Sequence, residues 1–456
     1  MDKNSLDRRQ IRHMRRVRNQ VLCWVGLVIM IAILGLGSYA IADTLGRKLS
    51  ASAAGTGKDQ QPVQEAVSEN EPEQGTEVSE NGGVISAPDP IDEIIEETGE
   101  ITEEEIPEEE KEILARLEGM SIEQKIDGLF IVSPEAITGV ATATMAGDGT
   151  REALNQYAVA GVVYSAKNVV ASDQFKELVS TTKSMYREIY NHDMLALVDE
   201  EGGFATLGGH IEEVDVQPSA RELAETGNRD NVTESYEAIA SYLKEYGIDV
   251  NIAPQAAVKT VENAFLADRV FSDDADIAAS MTAAAVEGLD NGGVLSCLAS
   301  FPGEGGTVNN PDVVAINTEK NQEELAECEY KPFVSGIEAG ADMIMVSNIV
   351  ASNAGSGEDS CSMSEEIITN VLRNELGFEG VIVSAPLDQP ACTAYVTPGA
   401  AALKSFIAGT DLIYVRSTLA FNEARDALLG AIEDGTISEE LVDKALMRVY
   451  TMESKL

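Results

Sequence analysis

Carboxylates set in or near glycine-rich turns are the groups of this 456-residue chain best suited to do chemistry: Asp199, Glu200 and Glu201 in VDEEGG, Asp268 beside Arg269 in DRVFSDD, Glu304 in FPGEGG, then Asp312, and Asp388 in VSAPLD. Such groups pass protons, and one that burial keeps protonated near neutrality can act as a general acid. Other chemistries find less support. VDEEGG and FPGEGG lack the lysine of a phosphate-binding loop and carry carboxylates that repel phosphate, so their glycines read as tight turns. No GxSxG or HxxxD context surrounds the serines. The five cysteines form no CxxC pair, which argues against a metal site, and no cofactor motif is present. Of the three histidines, His13 lies in the basic N-terminal stretch, while His192 and His210 read as solvated loop residues. His210, after GFATLGG, is the one placed to replace a missing proton donor.

These motifs sit at the ends of short apolar runs. Eight occur: GLFIVS near 128, AGVVYSA near 160, MLALVDEEGG near 194, DVNIAPQ near 249, VLSCLASFPGEGG near 294, DMIMVSNIV near 342, GVIVSAPLD near 380 and DLIYVRS near 411. Segments of helical periodicity separate most of them, which is the pattern of repeated βα units. The expectation is an α/β fold, a (β/α)8 barrel over 113–456 whose strand ends form the mouth where a site belongs.

The remainder of the chain points to an envelope protein. Arg8, Arg9, Arg12, Arg15, Arg16 and Arg18 form a basic tail over 1–19, followed at 20–42 by an uncharged apolar run of about 20 residues, the length of a membrane span. The tail predicts a cytoplasmic N-terminus and an extracytoplasmic barrel. A signal peptide cleaved after Ala42 is the competing reading, given the small residues of Ala40-Ile41-Ala42. Residues 43–112, rich in Glu, Gly, Ser and Gln, are expected to be a disordered acidic linker. With 78 Asp+Glu against 32 Lys+Arg the net charge is −46, which disfavours nucleic acid. Cys297, Cys328, Cys361 and Cys392 allow up to two disulfides, with Cys361–Cys392 the favoured pair.

The motifs MSIEQKIDGLFIV, VDEEGG, GIDVNIAP, DRVFSDD, FPGEG, AGADMIMVSN, LRNELGFEGVIVS and AGTDLI resemble, in the same order, those of glycoside hydrolase family 3. The resemblance covers 114–456 and is similar to the single-domain bacterial β-N-acetylhexosaminidases that act on peptidoglycan fragments. It implies a retaining hydrolase, which needs a carboxylate nucleophile and a proton donor about 5 Å apart.

Here the resemblance breaks at the chemistry. The family's nucleophile, the first Asp of a VSDD-like motif, falls on Ala385. Its Asp and His acid/base pair falls on Asn310 and Asp312, and the Lys and His that hold sugar hydroxyls fall on Ala299 and Ser300. Ala257 replaces an Asp, Phe204 the Arg of EGGR, and Asn348 a frequent His. What survives is Asp199, which in the family grips a sugar hydroxyl, with Asp268 and Arg269. A structural network of Asp268, Arg269 and Glu201 is the plainer reading of the latter. The expectation is a barrel without hydrolysis that binds a cell-wall glycan or amino sugar, or recruits an envelope protein. The alternative is an active hexosaminidase with Asp388, Asp312 or Glu304 as a relocated carboxylate.

Overall fold

Every one of the eight apolar runs forms a strand in the computed structural model, which describes residues 107–203, 207–262 and 264–456. They are β1 (Phe130–Val132), β2 (Gly161–Val163), β3 (Leu195–Val198), β4 (Val250–Asn251), β5 (Leu295–Phe301), β6 (Met343–Val346), β7 (Val381–Ser384) and β8 (Ile413–Val415). Consecutive strands pair in parallel and β8 returns to β1. A bridge between Val383 and Leu412 joins β7 to β8 and closes the ring. Parallel strands flanked by helices are buried on both faces, so they read as continuous rather than alternating apolar runs. All seven residues of β5 are buried.

The helices between strands are fixed by local signals. Asp274, the last residue of the DRVFSDD motif, caps the helix Ala275–Gly292 by accepting from the backbone N–H of Asp276 and Ile277. Part of that motif is therefore a helix start. Outside the barrel, Phe421 packs edge-to-face on Phe130 and Tyr157, with centroid distances of 5.3 and 4.9 Å, sealing the junction of β1 and β8.

The acidic linker expected to run to 112 gives way earlier to the helix Glu108–Glu118, which follows Pro107. Ile113 and Leu117, four residues apart and so on one helix face, are buried against the barrel. Arg116 locks this helix to the N-terminal face of the barrel. Its guanidinium lies 3.4 Å from the Tyr450 ring centroid, Nη1 donates to Glu453 Oε2 at 2.9 Å, and Nη2 is 2.9 Å from His192 Nδ1. His192 is thus half-buried in a charged cluster, not a solvated loop residue, and burial with the nearby Arg116 lowers its pKa. His210 is exposed, as expected.

The four described cysteines are free thiols, so Cys361 and Cys392 do not pair. Both are buried in the apolar core as thiols. The basic tail, the apolar run at 20–42 and the linker to 106 lie outside the described residues. Among those described, no helix is long and apolar enough to cross a membrane.

Candidate functional site

The C-terminal ends of the strands enclose a cavity of about 360 Å³. A larger one of about 1120 Å³ lies at the opposite face around Arg116 and His192. The smaller is the candidate site, because the sequence motifs converge there and barrels of this kind carry their sites at that end.

The three adjacent carboxylates after β3 have three different roles. Asp199 lines the cavity and is exposed. Its depth in the mouth and the neighbouring Glu201 raise its pKa to about 7, against the attraction of Arg269. Glu200 is buried and closes the loop, accepting from Gly202 N at 3.0 Å and Gly208 N at 2.7 Å. Glu201, 2% exposed, holds Arg269 bidentately, with Nε and Nη2 both at 2.6 Å, and accepts from Gln255 Nε2 at 2.7 Å.

Gly202 makes this arrangement possible. It has φ +75°, and a Cβ there would stand 2.4 Å from the Pro218 carbonyl oxygen. The tight-turn reading of VDEEGG fits that geometry. Gly202→Ala is expected to destabilise the domain by about 1–3 kcal/mol, measured by urea unfolding; an unchanged midpoint would mean that the loop relaxes freely.

Of the other residues singled out in the sequence, Arg269 lines the cavity, whereas Asp268 is exposed on the turn Ala267–Arg269 and takes no part in the Glu201 pair. Ala385 and Ser300 both line the cavity, and Ala385 is 3% exposed. Ala257 packs in a small apolar cluster with Leu266 and Val270, while Leu266 and Phe265 make an apolar cavity wall. Phe204 lies outside the described residues.

The candidate replacement carboxylates are mostly engaged. Asp388 is not among the cavity-lining residues; it accepts from Arg416 Nε and Arg416 N, both at 3.2 Å. Asp312 reaches the cavity edge but pairs with Arg416 Nη1 at 2.8 Å, and its backbone N–H donates to Asn310 Oδ1 at 2.8 Å in a local turn. Glu304 lines the cavity, accepts from Ser347 Oγ at 2.5 Å, and is held above the usual carboxylate range by burial.

Two residues acquire roles that their sequence positions did not reveal. Arg416, directly after β8, ties the loop of Asp312 to the loop of Asp388 across the mouth. Asn348, fully buried, donates from Nδ2 to Pro386 O at 2.9 Å and to Gln389 Oε1 at 3.0 Å, while its Oδ1 accepts from Ser362 Oγ at 2.6 Å. The loop carrying Ala385 is therefore held by satisfied hydrogen bonds.

Residues 121–452 match the family model of the glycosyl hydrolase family 3 N terminal domain. Beta-hexosaminidase A of Pseudoalteromonas piscicida is 25% identical over 327 residues, 67% of this chain and 55% of that protein. A beta-hexosaminidase of Xanthomonas oryzae pv. oryzae is 31% identical over 243 residues, 51% of this chain and 69% of that protein. Among solved structures, a family 3 beta-N-acetylglucosaminidase from Paenibacillus sp. str. FPU-7 superposes with a TM-score of 0.69 at 27% identity, covering 74% of this chain and 63% of that one. The chain thus spans little more than half of the Pseudoalteromonas protein and under two thirds of the Paenibacillus one.

Proposed function

The chain belongs to glycosyl hydrolase family 3, and from that premise we propose that it binds an amino-sugar glycan in the barrel mouth without hydrolysing it. The observation that carries this reading is the state of the cavity at the nucleophile position. Ala385 offers no lone pair, and the nearby Asp388 and Asp312 are both spent on Arg416. A retaining glycosidase has no way to form its covalent intermediate from such a set. The apolar run at 20–42 and the acidic segment after it support a membrane tether that holds the barrel outside the cell, with a cell-wall glycan as its ligand.

A second reading draws on Glu304. A buried carboxyl on the cavity wall with a raised pKa has the properties of a general acid, and an active hexosaminidase would use it to protonate the leaving group. Calorimetric titration of the full-length protein with soluble N-acetylglucosamine and glucosamine oligomers, followed by chromatography of the same samples, separates the two. One-site saturable binding with intact oligomers is expected; shortened products that disappear in Glu304→Gln would establish the second reading instead.

A further inference from the structure

Resting on the mouth as a glycan site, we infer that the cavity selects an amino sugar whose nitrogen is a free ammonium over its N-acetylated counterpart. The balance of charge around the cavity points that way. Among the described residues three cations line it, and each is already matched: Lys167 to Glu135, Arg269 to Glu201, and Arg416 to Asp312 and Asp388. Asp199 and Glu304 line it with no cation among those residues hydrogen-bonded to either. The groups left unmatched in the mouth are carboxyls, so a cationic ligand that draws them to ionise gains and an anionic one loses.

An unpartnered polar atom agrees. Gln255 lines the cavity and is 7% exposed; its Nε2 donates to Glu201, and its Oε1 has no donor among the described residues. An ammonium brings three donors and no acceptor, which suits a wall of acceptors and carboxylates. An acetamido group brings a carbonyl oxygen that these carboxylates repel, although the wall of Ile252, Phe265 and Leu266 could receive its methyl. The raised pKa of Asp199 is also consistent, since an adjacent ammonium would relieve the cost of its charge.

The test is titration of the full-length protein at about pH 7 with a β-1,4 glucosamine tetramer and with its fully N-acetylated form, repeated on Asp199→Asn. Tighter binding of the free amine by about ten-fold is expected, with the preference lost in the variant. The variant side chain is nearly isosteric and faces the cavity, so it should fold; matching melting curves check this. Equal or tighter binding of the acetylated tetramer overturns the amine selectivity and leaves the glycan reading standing. Because a chain of net charge −46 attracts amines anywhere on its surface, a preference undiminished in Asp199→Asn would place the amine outside the cavity and overturn the inference. Binding of neither tetramer would sink both the inference and the glycan reading.

Discussion

Arg269→Ala is expected to destabilise the barrel by about 2–4 kcal/mol, the effect of stranding the buried carboxylate of an ion pair whose guanidinium side chain is 30% exposed. Glu201 is 2% exposed and receives two guanidinium hydrogen bonds at 2.6 Å. Without Arg269 the remaining side-chain donor to it among the described residues is Gln255 Nε2. Arg269→Lys should recover part of the loss at most, because an ammonium cannot make the paired contacts of the guanidinium fork. Replacing both partners, as in Arg269→Met with Glu201→Leu, should cost less than Arg269→Ala alone. Urea unfolding of the three variants measures this, and an Arg269→Ala protein as stable as the parent would show that water reaches Glu201 and the pair does little.

The second large effect depends on pH. Burial raises the Glu453 carboxyl from 4.5 to about 7, outweighing the attraction of Arg116, and only 14% of the side chain is exposed. A carboxyl whose folded pKa lies above its unfolded value holds its proton more tightly when folded. Its stabilising share is therefore complete below about pH 4.5 and is lost as pH rises to about 7. His192 acts oppositely: its folded pKa is lowered, so its share is lost as pH falls below about 6.5. Glu453→Gln removes the first contribution and leaves the second. The stability of the parent minus that of the variant should fall by about 3 kcal/mol between pH 4.5 and pH 8. Parallel stability curves across that range would mean that Glu453 does not titrate as its burial dictates.

The barrel was legible because its strands are buried on both faces. A run such as LSCLASF in β5 or MIMV in β6 announces itself without any partner being known. The start of the domain was less so, because a run of glutamates resembles linker until the Ile113 and Leu117 stripe is weighed as one helix face. In the site, the carboxylate motifs located the mouth, and the family pattern located Ala385 within it. What sequence could not show was how those carboxylates are employed. Arg416 joins residues 28 and 104 positions away, and nothing local to DLIYVRS distinguishes it from any charged residue after a strand. The clue available was its place directly after β8, where a side chain can reach the mouth. Asn348 likewise read only as a lost histidine, yet it holds the loop of Ala385 through contacts 38 and 41 positions away. The carboxylates of VDEEGG, adjacent in sequence, are separated into cavity, loop and ion-pair roles by partners far along the chain, Arg269 and Gln255 among them.

The central claim is the proposal that the mouth binds a glycan without hydrolysing it. Its most direct test is release of fluorophore from a fluorogenic N-acetyl-β-glucosaminide by the full-length protein, measured beside a mock purification and the Glu304→Gln variant. The account predicts that protein and mock are indistinguishable. Turnover above the mock that falls away in Glu304→Gln would contradict it and make this chain a working hexosaminidase with a rebuilt site.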